Sequence, residues 1–312
     1  PLECDLILKG GITSGVIYPP GICELARTYR LRSIGGSSAG AIAAAAGAAA
    51  ELGRRRGGFE ALERLNGELA SEEAKGRTRL LRLFRPEPQT RRLFGVVAAA
   101  LGASSWTPTA RAALVGYWPH ALLGAVPGVV VAAAGLPPAG PAGSAALAGG
   151  ILLALIGIVA ATVAGVLVDA ARRLPRNGFG LVGGAVPGDE PALTPWLHER
   201  LQQCAGRAAS EPPVTFGDLA DAGIRLRVMT TNLTQRRPMV LPFDTEQFWF
   251  DPVRWRELFG AEIVDHLLAH PPALPTNPEE AFESRVRREQ TALAPLPDPR
   301  DLPIVVATRL SL

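Results

Sequence analysis

Leu31-Arg32-Ser33-Ile34-Gly35-Gly36-Ser37-Ser38-Ala39-Gly40 runs from a short apolar strand pattern, Leu31–Ile34, through a glycine-flanked serine into an alanine-rich helix pattern, Ala39–Leu52. Gly36-Ser37-Ser38-Ala39-Gly40 fits G-x-S-x-G. That pattern is weak alone in a glycine-rich chain, but here it sits in the strand–turn–helix setting its chemistry requires. A serine at such a turn is held in strained backbone geometry with its hydroxyl projecting outward, and Gly36 and Gly40 remove the side chains that would clash. The amide after it, that of Ala39, faces the place where an oxyanion would develop, and the helix N-terminus adds positive potential. Ser38 is therefore the candidate nucleophile. The bland alternative is a plain glycine turn between a strand and a helix.

Upstream, Leu2–Lys9 reads as a core strand ending at Lys9-Gly10-Gly11, and Gly15–Tyr29 carries a helical apolar stripe. The turn Gly10-Gly11-Ile12-Thr13-Ser14-Gly15 thus lies at a second strand-to-helix junction. Small residues there let backbone amides approach an anionic oxygen. Strand, helix, strand, helix within fifty residues predicts an α/β sheet with parallel pairing, and two such turns at neighbouring strand ends would meet in one crevice. A phosphate-binding loop is the rival for these glycines. It lacks G-x-G-x-x-G, G-K-[ST] and an acidic ribose partner.

Downstream, Gly58–Gly76 reads as an amphipathic surface helix. Thr194–Ala209 reads as a helix capped by Thr194, Ile224–Leu233 as a strand, and Asp251–Phe259 as a helix capped by Asp251. Pro303–Thr308 reads as a buried strand. A domain seldom stops on such a strand, which implies further polypeptide beyond Leu312.

From Ala112 to Val168 there is no Asp, Glu, Lys or Arg. Two apolar runs, Ala112–Ala134 and Ala145–Val168, flank the joint Leu136-Pro137-Pro138-Ala139-Gly140-Pro141-Ala142-Gly143-Ser144. About 20 apolar residues cross a bilayer core, so each run is long enough. Arg91, Arg92 and Arg111 precede the pair, and Arg172, Arg173 and Arg176 follow it. This places both outer ends on the cytoplasmic side. The expectation is an antiparallel membrane hairpin. Two buried core helices, or a lid, are the alternative.

The remaining composition narrows the function classes. A net charge of +3 forms no basic stripe, and nucleic acid is not an expected partner. Cys4, Cys23 and Cys204 make no CxxC pair. His266 and His270 could share a helix face, but no HExxH motif accompanies them and no metal is expected.

Taken together, the strand with its glycine-rich turn and the later strand ending in Gly-x-Ser-x-Gly resemble the patatin-like phospholipase family. The resemblance is best over residues 5–50. It resumes loosely at Arg225–Leu233 and at Pro303–Leu312, and residues 77–222 match nothing specific. It implies a three-layer sandwich with a mainly parallel central sheet, here formed by residues 1–111 and 172–312 and interrupted by the hydrophobic hairpin at 112–171. It implies a lipid acyl hydrolase with a Ser–Asp dyad and no cofactor: Ser38 as nucleophile, and Gly10, Gly11, Ile12, Gly15 and Ala39 around the oxyanion. The substrate would be a lipid ester in or at a membrane, with the catalytic domain facing the cytoplasm. Two departures stand out. Ile12 replaces the family's third glycine, and Ser14 replaces the basic residue before its last glycine. No Asp-Gly-Gly or Asp-Gly-Ala occurs; Asp221-Ala222-Gly223 is nearest but precedes the 225–233 strand, where it would end a helix. The catalytic Asp is expected beyond Leu312, so these 312 residues alone would have little or no turnover. The competing expectation is a catalytically inactive membrane protein whose patatin-like part binds lipid or a partner.

Overall fold

The computed structural model describes residues 2–11, 14–70, 72–73, 77–78, 86–101, 105–137, 140–177, 180–183, 192–243 and 248–312. The chain divides into two compact units, residues 1–85 with 184–312, and residues 86–183.

The first unit is mixed α/β. It opens with β1 (Leu2–Leu8), α1 (Ser14–Ala26), β2 (Tyr29–Ser37), α2 (Ala39–Leu52) and α3 (Gly58–Ala70). A small antiparallel pair, β3 (Glu72–Glu73) with β4 (Arg77–Thr78), follows. After the second unit come β5 (Arg225–Asn232) and β6 (Arg237–Leu241). The main sheet has the order β1-β2-β5-β6. β2 is parallel to both β1 and β5, and β6 closes the far side antiparallel. Alanine makes α2 narrow enough to lie deep in this unit. Ala41, Ala44, Ala45, Ala48, Ala49 and Ala50 are fully buried, against Ile34, Trp196, Leu197 and Val306 in the same apolar core.

The far end of α2 is pinned by an ion pair whose carboxylate is buried. The Glu51 carboxylate takes Arg54 at 2.6 and 2.9 Å and accepts the Leu31 amide at 3.2 Å. Arg54 also donates to the carbonyls of Ala26 and Tyr29. The start of β2 is thus fixed to the end of α2, and the other end of that pair is left to form the turn at Ser38.

Several sequence expectations need correction. Pro303–Thr308 is not a strand: Ile304–Leu310 is a helix with Ile304 through Thr308 buried. A short unbroken apolar run does not distinguish a buried strand from a buried helix. Leu2–Lys9 is a strand but an edge one among the described residues, with Ile7 93% and Leu2 63% exposed. The 58–76 helix ends at Ala70, before β3. Thr194 does not cap its helix, which spans Leu193–Cys204 from an Ala192 N-cap without a side-chain bond. Asp251 does cap Pro252–Phe259, accepting the Val253 and Arg254 amides. Asp221 ends the helix Phe216–Asp221.

The second unit contains helices Arg91–Leu101, Thr107–Gly116, Trp118–Ala134 and Gly140–Arg176. It is wider than residues 112–171, because the Pro86–Val182 bridge and the Thr90 hydroxyl, 2.7 Å from the Leu181 carbonyl, close its base. The run Ala112–Ala134 is not one helix. It bends by 89° between Gly116 and Trp118, where Pro119 in the first turn brings no amide hydrogen. Gly140–Arg176 is long and apolar enough to cross a membrane, and 11% of its most apolar window is buried.

Trp118–Ala134 and Gly140–Arg176 pack antiparallel with their backbones nearly touching. A Cβ added to Gly157 would lie 2.0 Å from the Gly124 carbonyl oxygen. One on Gly128 would lie 2.1 Å from the Ala154 nitrogen, and one on Gly150 2.2 Å from that of Ala132. The large side chains point away from this seam, leaving Leu122, Leu123, Val130, Leu152, Ile156 and Val159 exposed.

Candidate active site

Ser38 follows the last residue of β2 and precedes the first of α2, at the end of a strand flanked on both sides. Its backbone is at φ 53°, ψ −126°. Serine pays about 1–3 kcal/mol for such a conformation, which persists only where its surroundings over-determine it. Serine at a helix N-cap usually accepts an amide from the first turn. Ser38 does not, and its side chain forms no cap bond to α2. The residue is exposed. Its hydroxyl is therefore committed to no capping bond and is open to solvent or a ligand.

The flanking glycines are sterically required. A Cβ on Gly36 would lie 2.2 Å from the Gly40 carbonyl oxygen, and one on Gly40 would lie 2.1 Å from that of Leu8. The turn after β1 comes to the same place. A Cβ on Gly10 would sit 2.9 Å from the Ser37 carbonyl oxygen and 3.2 Å from the Ser38 Cβ. Gly10 and the Ser38 elbow are thus brought together, as the two strand-to-helix junctions anticipated. Gly11 continues the turn and Gly15 lies in the first turn of α1. Ile12 lies outside the described residues. Ala39 opens α2, so its amide is one of the helix N–H groups without an intrahelical acceptor.

Two contacts at this site had no signal in the sequence. The Tyr18 hydroxyl donates to the Lys9 carbonyl at 2.7 Å and ties α1 to the turn after β1. The Ser38 amide donates to the Ser311 hydroxyl at 2.9 Å, across 273 residues.

Other reactive side chains lie apart from this constellation. Burial pushes the Cys204 thiol up to about 12 and the Cys23 thiol up to about 11, so neither supplies a thiolate at neutral pH. Among the described residues no group of three or more His, Cys, Asp or Glu could hold a metal ion. His266 and His270 share a helix face with ring centroids 4.3 Å apart, and the His266 Nε2 lies 3.1 Å from the Asp301 carbonyl.

No family model matches the chain. No solved structure matches it significantly. A curated protein of Rhizobium meliloti (strain 1021), named RpoH suppressor, is 36% identical to it over 347 aligned residues, covering 99% of this chain and 50% of that protein. The chain spans about half the length of the curated relative it matches.

Proposed function

We propose that this chain carries the nucleophile and oxyanion-hole part of a membrane-anchored serine lipid acyl hydrolase, built on a patatin-like sandwich. The observation that carries the reading is the Ser38 elbow. It is a strained, exposed serine at φ 53° between a flanked parallel strand and a buried helix, with glycines that sterics demand on either side.

In this reading the Ser38 Oγ attacks the ester carbonyl of a lipid and its proton passes to a carboxylate base. The tetrahedral oxyanion is held by the Ala39 amide and amides of the Gly10–Gly15 turn. Collapse expels the alcohol, which takes the proton. Water then hydrolyses the acyl-serine and releases a fatty acid. The base would be an Asp carried outside these residues. The chain's own residues supply the attack and the charge stabilisation without a cofactor.

The hairpin supports a membrane setting. A soluble helix pair buries its large side chains, whereas this pair buries glycine and exposes Leu, Val and Ile. Each exposed large aliphatic forgoes roughly 1.5–3 kcal/mol of burial in water, so lipid is the better solvent for this surface. Thr162, within the apolar helix, returns its hydroxyl to the Ile158 carbonyl at 2.7 Å and brings no unmet polar group into a bilayer. The arginines at both outer ends favour a cytoplasmic placement of those ends.

A fluorophosphonate probe tests the chemistry. Full-length protein should be labelled, Ser38→Ala should abolish labelling, and Ser37→Ala should retain it. Labelling that survives Ser38→Ala refutes the assignment. A full-length protein that never labels yet binds lipid vesicles would favour a lipid-binding role without turnover.

A further inference from the structure

We propose that Ser311 is a positioning residue for the Ser38 elbow, its hydroxyl holding the strained turn against β5. This rests on the hydrolase reading of Ser38 and deepens it.

The glycines at 36 and 40 make room for the turn, but room alone does not hold a serine at positive φ. Something must make the relaxed alternatives worse. The ladder between β2 and β5 ends at the pair Ser37 and Met229. The next amide, that of Ser38, turns away from the ladder. The Ser311 hydroxyl enters at this point. It accepts the Ser38 amide at 2.9 Å and donates to the Met229 carbonyl at 2.5 Å. One hydroxyl thereby bridges the first amide beyond one strand to a carbonyl of its neighbour, as an added rung.

Both capacities of the hydroxyl are used. Alanine supplies neither, threonine supplies both, and cysteine supplies each only weakly. Ser311 is itself anchored. It follows the helix Ile304–Leu310, whose residues Ile304 through Thr308 are buried. The Thr230 hydroxyl of β5 donates to the Leu310 carbonyl at 2.6 Å. That second bond holds the same helix end to the same strand without touching Ser38, so the two bonds separate positioning from mere attachment.

The test is the rate of fluorophosphonate labelling of full-length protein, measured over a range of probe concentrations alongside thermal unfolding. Ser311→Ala should lower the saturating rate about tenfold, the value of one lost hydrogen bond to the turn. The probe concentration giving half that rate should stay within about threefold. Ser311→Thr should restore the rate. Thr230→Val should keep it within about threefold while lowering the melting temperature. If Ser311→Ala does not fold, Ser311→Cys carries the same expected loss.

Wild-type labelling through Ser38 with an unchanged rate in Ser311→Ala overturns this inference alone. Equal losses in Ser311→Ala and Thr230→Val also overturn it, because the helix end would then act only as a support. A wild-type protein that does not label through Ser38 overturns the functional reading and this inference with it.

Discussion

Replacing Gly40 by alanine tests whether the elbow is built by close backbone approach. The new Cβ would lie 2.1 Å from the Leu8 carbonyl oxygen, 2.7 Å from its carbon and 2.9 Å from the Lys9 carbonyl oxygen. All three are backbone atoms, so no rotamer change relieves the contact. Reaching 3.0 Å from the nearest requires a separation of at least 3.0 − 2.1 = 0.9 Å between α2 and the end of β1. Overpacking of this kind costs about 1–3 kcal/mol and sometimes more, and rigid atoms on both sides put this case near the upper limit. At about 2–4 °C per kcal/mol for a unit of this size, a loss near 3 kcal/mol lowers the melting temperature by about 6–12 °C. The same shift moves the Gly10 turn off Ser38, and misplacement by about 1 Å lowers reactivity on the order of 100-fold. The assay is thermal unfolding in detergent with fluorophosphonate labelling of the same samples. Gly67→Ala is the control. That glycine lies inside α3 with nothing within 4 Å of an added Cβ, so alanine there should stabilise by about 0.5–1 kcal/mol through helix propensity. A Gly40→Ala protein that melts and labels like wild type would refute the reasoning.

Glu51→Gln should destabilise the protein by about 1.5–3 kcal/mol, because it removes the charge from the buried carboxylate that takes the part-exposed Arg54; denaturant unfolding checks this, and a change under about 0.5 kcal/mol contradicts it. Burial acts to raise the Asp218 carboxyl, but hydrogen bonds from Arg207 and Thr215 outweigh it and hold the group below its ordinary value of 3.8. Its contribution is therefore present above about pH 4 and lost as pH falls below that. The melting-temperature gap between wild type and Asp218→Asn should accordingly be full at neutral pH and shrink in acid, and a gap constant from pH 3 to 7 would count against the pairing. Deleting Ala112–Val168 should turn a membrane-pelleting protein into a soluble one; wild type that stays monomeric in solution without detergent would remove the anchor from the account.

The elbow was legible because its determinants are local. Gly36, Ser38 and Gly40 lie within one turn, and the strand and helix that flank them announce themselves by apolar pattern and alanine content. Asp251-Pro252 was legible for the same reason, since a cap and a first-turn proline are adjacent in sequence. Features that depend on distant partners were not. Thr194 has the right identity for a cap, but the helix begins one residue earlier and burial takes the side chain inside. Ile304–Thr308 has the composition of a central strand, and only the location of its neighbours makes it a helix. The bend near Tyr117 coincides with Pro119, and a single proline in an apolar run does not say whether it tilts one helix or divides two. Ser311 carries no local mark at all, because its significance lies in two bonds to residues more than eighty positions away.

The same physical device recurs in both units with different consequences. At the elbow, glycine admits backbone where a Cβ would collide, and the space is used to hold a serine in a conformation it would otherwise leave. In the hairpin, glycine admits backbone along Gly124–Gly157 and Gly128–Ala154, and the space is used for contact between helices. Between helices in lipid there is no hydrophobic gain from burying large side chains, so close packing of small residues supplies the attraction. Water would favour the opposite arrangement, with Leu152, Ile156 and Val159 turned inward. The outward direction of those residues therefore argues more strongly for a bilayer than the length of the apolar run does, since a buried helix of a soluble protein could share the length but not the exposed face.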